Sequence, residues 1–114
     1  MCPEDFYAVF FHELTHWTGS KERLNRDKNY RKLQGRAYEE LIAELGSAFI
    51  CADVDILSEQ SSLNHASYIQ SWLQALKDDP KMIVSAASKA SKAFAYIQEQ
   101  VKSIAKAETQ SKAA

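Results

Sequence analysis

Apolar residues recur every three or four positions along most of this chain, which is the period of amphipathic α-helices. No stretch alternates apolar and polar residues, so no β-strand is predicted. The pattern predicts four helices, at about residues 3–18, 36–53, 63–77 and 80–106. We therefore expect a mainly α fold, with one helical domain at residues 1–105 and a disordered tail at residues 106–114.

The first predicted helix contains the run His12-Glu13-Leu14-Thr15-His16, which holds two of the three histidines in the chain. Histidines four positions apart lie on one face of a helix, where their imidazole nitrogens can bind a single Zn²⁺ ion. Glu13 is a candidate to take a proton from an attacking water and to return it to a leaving amine. The motif is typical of metallopeptidases, although a helix can also carry it by chance.

The residues around this motif favour a helix with one buried side. Apolar residues precede the motif at helical spacing, and they are Phe6, Val9, Phe10 and Phe11. Pro3, Glu4 and Asp5 suit the start of a helix, and Gly19 suits its end. We therefore expect the motif to lie against the interior of the domain.

A catalytic zinc ion usually has three protein ligands and an open fourth position, so a third ligand is expected. Glu40 and Glu44 lie one turn apart on the second predicted helix. One of them can bind the metal while the other accepts the free N–H of a ligating histidine. Glu22 is a rival ligand, because its spacing from the motif imitates the metzincin pattern, with an acid in place of the third histidine. Glu39 is expected on a solvated acidic face.

Several stretches, in this order, resemble the zincin-like metallopeptidase domain of ArdC-type antirestriction proteins and related conjugative-plasmid primases. They are Phe10 to Gly19, Arg23 to Arg26, Tyr38 to Gly46, Ser67 to Leu76 and the helix after Pro80, up to about Gln98. The resemblance implies that His12, His16 and Glu40 are the metal ligands. It also implies that Glu13 is the catalytic acid and base, and that Glu44 supports a ligating histidine.

In proteins of that kind the motif helix follows a small sheet whose edge strand binds the substrate, and a single-stranded-DNA-binding domain precedes the sheet. Only Met1 and Cys2 precede Pro3 here. We therefore expect this chain to be the C-terminal helical part of a larger protein. Metal binding is the firmer expectation and peptidase turnover the weaker one, because the part that holds a peptide is missing.

Charge and composition narrow the class of protein. A net charge of −1 over 114 residues argues against a freestanding nucleic-acid-binding protein. No apolar run reaches about 18 residues and no signal-peptide pattern opens the chain, so a soluble, cytoplasmic protein without membrane contact is expected. Cys2 and Cys51 are too few for a disulfide framework, and Cys51 is expected to be a buried, reduced thiol.

Basic residues concentrate between the first two helices, from Lys21 to Arg36, with Tyr30 as the one aromatic residue among them. A solvated loop, or pairing with the acidic second helix, is favoured over contact with nucleic acid. Arg23 and Arg26 are candidates to contact a substrate carboxylate or a phosphate. Arg36 and Tyr38 are candidates to contact the substrate by donating to its oxyanion. His65 is expected to be exposed and to bind no metal.

Two functions follow from these patterns. The first is zinc-dependent hydrolysis of peptide bonds in a peptide or protein substrate, with Mn²⁺ or Co²⁺ as possible replacements for Zn²⁺. In that case single-stranded DNA is bound by the missing N-terminal domain of the parent protein. The second is a non-catalytic zinc-binding accessory domain that contacts DNA or a protein partner. A third possibility is that the chain does not fold stably without its N-terminal part.

Overall fold

Four α-helices form the fold. The computed structural model describes residues 3–26, 33–56 and 59–113, and these ranges contain no β-strand. The helices are α1 (Pro3–Trp17), α2 (Leu33–Asp53), α3 (Glu59–Ala75) and α4 (Pro80–Ala113). The prediction of a mainly α, four-helix fold is confirmed. Cys2, Lys28, Tyr30, Arg31 and Lys32 lie outside the described residues.

The helix boundaries differ from the predicted ones mostly by extension. α2 and α3 begin a few residues before the predicted starts, and α4 begins at Pro80 as predicted. α4 continues through residues 106–113, where the sequence predicted a disordered tail. Alanine, lysine and glutamate are good helix formers, and Lys102 pairs with Glu99 one turn away. The side chains of residues 101–110 are all exposed, so local propensity rather than packing accounts for this extension.

α2 lies at the centre of the fold and packs against each of the other three helices. The buried core cluster comes from α2, α4 and the residue after α3, and consists of Ala37, Leu41, Ile42, Leu45, Leu76, Ala86 and Ala90. The small alanine side chains of α4 allow its backbone to approach α2 closely. Because α2 is enclosed on several sides, three of its polar residues are also buried: Glu39, Glu44 and Ser47.

α1 and α2 run antiparallel, and this pairing sets the position of the motif. Near the start of α1, the Ser47 hydroxyl donates to the carbonyl oxygen of Ala8 at 2.7 Å. Near its end, His16 contacts Glu39. Contacts therefore move toward the start of α2 as α1 proceeds. The face of α1 that carries both histidines lies against the face of α2 that carries the glutamates.

The two helices approach most tightly where Gly46 of α2 meets Thr15 of α1. A Cβ atom on Gly46 would lie 2.5 Å from Thr15 Oγ1 and 2.6 Å from its Cγ2. Thr15 is fully buried, and its hydroxyl donates to the carbonyl oxygen of Phe11 at 2.8 Å. This short side chain cannot move aside. The absence of a side chain at position 46 therefore determines how closely α1 and α2 approach.

Gly46→Ala should therefore lower the free energy of unfolding by about 1–3 kcal/mol through overpacking. Helix propensity alone predicts the opposite sign, since alanine is favoured over glycine by about 1 kcal/mol inside a helix. Chemical denaturation followed by circular dichroism measures the change. Ala52→Gly, at an exposed position of the same helix, is the control for propensity and should cost no more than about 1 kcal/mol. A Gly46→Ala variant more stable than the wild type would contradict the close approach.

The apolar side of α1 does not lie in the interior, contrary to the prediction. Phe6 is 57% exposed and Phe10 is 52% exposed, while the fully buried side chain of this helix is Thr15. The face bearing the two histidines packs on α2 instead, where His12 contacts Glu44 and His16 contacts Glu39. None of the described helices combines the length and apolar character needed to cross a lipid bilayer.

Candidate metal centre

The two motif histidines direct their Nε2 atoms toward each other from successive turns of α1. His12 Nε2 and His16 Nε2 are 3.2 Å apart, and the ring centroids are 4.8 Å apart. Both rings are partly buried at the contact between α1 and α2. Two imidazole nitrogens at this distance are suited to sharing one cation.

Glu40 of α2 completes this group. Its Oε2 lies 2.9 Å from His12 Nε2, and its Oε1 lies 3.3 Å from His16 Nε2. One ligand atom from each of the three residues lies within 4.8 Å of the others. In a tetrahedral zinc site with ligand distances of about 2.0–2.1 Å, neighbouring ligand atoms are about 3.3 Å apart. The separations fit a three-ligand site, so these side chains suit a divalent cation.

A second carboxylate lies behind each imidazole ring. His12 Nδ1 is 2.7 Å from Glu44 Oε1, and His16 Nδ1 is 2.8 Å from Glu39 Oε2. An imidazole bound through Nε2 commonly donates its Nδ1–H to such a carboxylate, which determines the tautomer and the ring orientation. Glu44 lies in such a position behind His12. The prediction for Glu39 was wrong: this residue is only 3% exposed, because it contacts His16 and a buried arginine.

That arginine is Arg26, and it forms a two-point ion pair with Glu39. Arg26 Nε donates to Glu39 Oε1 at 2.8 Å, and Nη2 donates to Oε2 at 3.0 Å. The guanidinium also donates to the carbonyl oxygen of Thr15 and to the hydroxyl of Thr18, both at 2.8 Å. Arg26 is 8% exposed, so its predicted contact with a substrate carboxylate or phosphate does not fit the structure. Its donors are used at the C-terminal end of α1.

A short, tightly bonded segment brings Arg26 to this position. After α1 ends, the amide of Leu24 donates to the Thr18 carbonyl at 2.9 Å, and the amide of Arg26 donates to the Gly19 carbonyl at 3.1 Å. A Cβ atom on Gly19 would lie 2.7 Å from a guanidinium nitrogen of Arg26. Gly19 is therefore needed for space beside the arginine; its φ is not positive, so the end of the helix does not itself require a glycine.

The pKa values reflect these contacts. Burial alone would lower the pKa of His12, but the Glu44 and Glu40 carboxylates outweigh it and raise the pKa above 6.5. Burial alone would raise the pKa values of Glu39 and Glu44. Hydrogen bonds from His16 and Arg26 to Glu39 outweigh this effect and hold its pKa below 4.5. Those from His12 and His65 hold the pKa of Glu44 below 4.5. Three carboxylates lie around the two motif imidazoles, and only that of Glu39 is paired with a guanidinium, so a divalent cation would offset the remaining negative charge.

The other residues predicted for the site do not belong to the group of converging ligand atoms. Glu13 is exposed on α1, and Glu22 is exposed in the turn after it, outside the group whose ligand atoms converge. Arg23 donates to the Trp17 carbonyl at 2.6 Å and stacks 4.0 Å above the Trp17 ring. Arg36 is exposed at the start of α2. Tyr38 bonds through its hydroxyl to Ser85 of α4, so its hydroxyl is not directed at the metal ligands.

His65 is buried, although the sequence predicted an exposed residue with no partner nearby. It is 7% exposed, and its Nδ1 lies 3.4 Å from Glu44 Oε2. It also lines a cleft of about 550 Å³ between α1, α2 and α3, together with His12 and Glu44. α3 packs with this residue toward α2, which the spacing of its apolar residues did not reveal. Cys51 is buried as a free thiol, as predicted.

Residues 1–89 match the zincin-like metallopeptidase family. This chain belongs to that family. The predicted resemblance to ArdC-type proteins and plasmid primases is confirmed by this match and by the relatives described next.

Relatives in sequence and in structure resemble this zincin-like domain over most of its length. It is 48% identical over 91 residues to the protein y4eC of Sinorhizobium fredii, and 39% identical over 93 residues to the DNA primase TraC of Escherichia coli. These alignments cover 75% and 81% of the chain. The Mn(II)-bound crystal structure of the antirestriction protein ArdC from plasmid R388 has a TM-score of 0.64, with 46% identity over 84% of the chain.

The zincin-like domain corresponds to a minor part of each of these relatives. It spans 28% of the Sinorhizobium protein and 6% of the primase. It spans 36% of the manganese-bound ArdC chain and 34% of the metal-free ArdC chain, which superimposes with a TM-score of 0.61. The relatives are therefore much longer proteins with further regions of their own.

Sequence reasoning missed three residues of this zincin-like centre: Glu39, Arg26 and His65. The number of glutamates on α2 could have indicated Glu39. Each of the two ligating histidines needs a hydrogen-bonding carboxylate behind its ring, and the metal needs a carboxylate ligand as well. Three glutamates at positions 39, 40 and 44 meet that requirement. No local signal pointed to Arg26 or His65, because their partners lie 13 and 21 positions away.

Proposed function

We propose that this domain is the metal-binding part of a peptide hydrolase of the zincin type. The observation that carries the proposal is the convergence of ligand atoms from His12, His16 and Glu40 within 4.8 Å of one another. The carboxylates behind His12 and His16 support it, because they direct both Nε2 atoms at the same point. Membership of the zincin-like metallopeptidase family supports the hydrolytic class.

We propose Zn²⁺ as the resident ion, because two imidazoles and one carboxylate form a common catalytic zinc site. The same ligands accept Mn²⁺ or Co²⁺, since all three ions bind nitrogen and oxygen donors. The Mn(II)-bound structure of the R388 ArdC protein supports a divalent ion in general. One ion per chain is expected, held by His12, His16 and Glu40.

The metal ion would supply Lewis-acid polarisation of a carbonyl group and would lower the pKa of a water toward 7. Glu13 is the proposed acid and base. Successive residues of an α-helix are rotated by about 100°, so Glu13 lies about 100° from His12 and about 60° from His16 around the axis of α1. It therefore flanks the face that carries the two histidines. Its exposed carboxylate can take a proton from water and return it to the leaving amine. Glu39 and Glu44 hold the two imidazoles in place.

A second candidate is a non-catalytic zinc-binding domain that contacts another part of a larger protein or a separate partner. The exposed apolar side of α1 favours it, because Phe6 and Phe10 are each more than half exposed. The small share of each relative that this chain spans is consistent with it. The two candidates share the metal site and differ in whether Glu13 has a role. Single-stranded DNA as a partner of the complete protein also remains a proposal, which the plasmid relatives support.

Metal analysis tests the site itself. The purified chain should contain about one zinc per molecule, measured by elemental analysis after dialysis, because its three ligands are already arranged. A His12→Ala/His16→Ala double variant should contain none, since it retains only the carboxylate of Glu40. Circular dichroism must show that both proteins are helical. A folded wild-type chain that binds no Zn²⁺, Mn²⁺ or Co²⁺ would contradict the proposal.

A further inference from the structure

The Glu44 carboxylate lies between two imidazole rings from different helices. Its Oε1 is 2.7 Å from Nδ1 of His12 on α1, and its Oε2 is 3.4 Å from Nδ1 of His65 on α3. Glu44 and His65 are both buried, at 8% and 7% exposure. Both also line the cleft between α1, α2 and α3. The two imidazoles hold the carboxylate from either side.

The other motif histidine is supported by an equivalent arrangement. His16 contacts Glu39 at 2.8 Å, and Glu39 is held in turn by the Arg26 guanidinium. Each ligating imidazole is thus backed by a carboxylate of α2, and each carboxylate is backed by a nitrogen donor from a third segment. Arg26 supplies that donor for Glu39. His65 occupies the corresponding place behind Glu44.

We propose that His65 is a positioning residue of the metal centre, which acts by holding Glu44 against His12. It neither binds the metal nor contacts the reacting atoms. Its Nδ1–H donates to Glu44 Oε2, and Glu44 Oε1 lies 2.7 Å from Nδ1 of His12, where the charge of the carboxylate holds the ring with its Nε2 lone pair directed at the ion. The proposal rests on the proposed function, because it assigns His65 a role in metal affinity.

The chemistry of His65 identifies the atom that matters. Its Nε2 has no hydrogen-bond partner among the residues that the structure describes, whereas Nδ1 faces Glu44. The side-chain amide nitrogen of asparagine reaches the place of Nδ1, and that of glutamine reaches the place of Nε2. Leucine fills a similar volume and provides no donor. These three substitutions therefore separate the Nδ1 donor from the bulk of the ring.

Zinc affinity, measured by competition with a chromophoric chelator, tests the role. Removing a residue that hydrogen-bonds a ligand typically weakens metal affinity about 10–100-fold; His65 lies one step further out at a longer distance, so about 3–10-fold is expected for His65→Leu. His65→Asn should stay within about twofold of the wild type, because it retains the donor. If His65→Leu does not fold, His65→Gln replaces it and should bind zinc more weakly than His65→Asn.

A double-mutant comparison distinguishes positioning from a general structural role. If His65 acts through Glu44, then His65→Leu should change zinc affinity by less than about twofold in a Glu44→Ala background. Leu76→Val, in the buried core outside the Glu44 contact, is the control for lost stability and should leave zinc affinity within about twofold. An equal loss of affinity with and without Glu44 would overturn the proposal.

The outcomes separate this proposal from the proposed function. If the wild-type chain binds zinc and His65→Leu binds it equally well, the role of His65 is wrong and the metal site stands. If the folded wild-type chain binds no zinc, the proposed function is wrong, and the role of His65 is overturned with it. Weaker binding by His65→Leu, with rescue by His65→Asn and no effect in the Glu44→Ala background, supports both.

Discussion

Glu13→Gln should lower the rate of peptide hydrolysis by about 10²–10⁴-fold while zinc binding is retained. Glutamine has nearly the same shape as glutamate but cannot accept the proton of an attacking water at neutral pH. Glu13 is exposed and does not belong to the group of converging ligand atoms, so its replacement leaves those ligands unchanged. Initial rates with fluorescein-labelled casein, an unfolded protein probe, together with zinc content, measure both parts of the prediction.

The control for this variant is another exposed glutamate. Glu59→Gln, at the start of α3, makes the same chemical change away from the motif and should leave both rate and zinc content unchanged. A Glu13→Gln protein with full zinc and full activity would contradict the assignment of Glu13. A wild-type chain that binds zinc but does not cleave casein, even at high enzyme concentration, would instead favour the non-catalytic binding domain.

Arg26→Ala should lower the free energy of unfolding by about 3–5 kcal/mol. The substitution leaves Glu39 buried with one cationic partner removed. It also removes the guanidinium donor to the Thr18 hydroxyl and one of the donors to the Thr15 carbonyl, which still accepts from the Thr18 hydroxyl. Small domains have only about 5–15 kcal/mol of stability, so the variant is expected to be partly unfolded at moderate temperature. Urea denaturation of the metal-free protein, followed by circular dichroism, provides the measurement.

Two further variants identify the cause of this loss. Lys21→Ala removes an exposed basic side chain from the same turn and should change stability by no more than about 0.5 kcal/mol. Arg26→Leu/Glu39→Leu removes both charges and should be more stable than Arg26→Ala, because no unpaired charge remains buried. If Arg26→Ala is as stable as Lys21→Ala, the buried ion pair does not stabilise the fold. If Arg26→Ala is too unstable for a urea titration, its circular dichroism without urea replaces the titration. A weaker helical signal than that of the wild type then supports the prediction.

The Arg26 contacts connect the stability of the fold to the geometry of the metal centre. Glu39 accepts from Arg26 and from His16 at the same time, so the pair that links the end of α1 to α2 also orients a ligand. Gly46 acts similarly at the next contact between these helices, because it sets their separation. Loss of metal affinity in Arg26→Ala would therefore accompany loss of stability. In Glu13→Gln neither loss is expected.

Local sequence determined the positions of the helices and the common face of the two motif histidines. Apolar spacing is a property of successive turns, so it located all four helices to within a few residues, apart from the extension of α4. His12 and His16 are four positions apart on one helix, so their common face follows from helix geometry alone. The position of Glu40 beside them was predicted from family resemblance, since a ligand on another helix has no fixed spacing from the motif.

Tertiary structure decided the environment of these residues. Whether a glutamate on α2 is solvated or buried depends on which helix packs against it. The sequence pattern predicted a solvated Glu39, whereas Glu39 is buried. Arg26 was predicted to contact a substrate carboxylate or a phosphate and His65 to be exposed, because charged and polar residues usually lie at the surface. Each is buried because a carboxylate of α2 offers it a partner 13 or 21 positions away. Such pairings arise only when the helices come together, so they carry no local signal in the sequence.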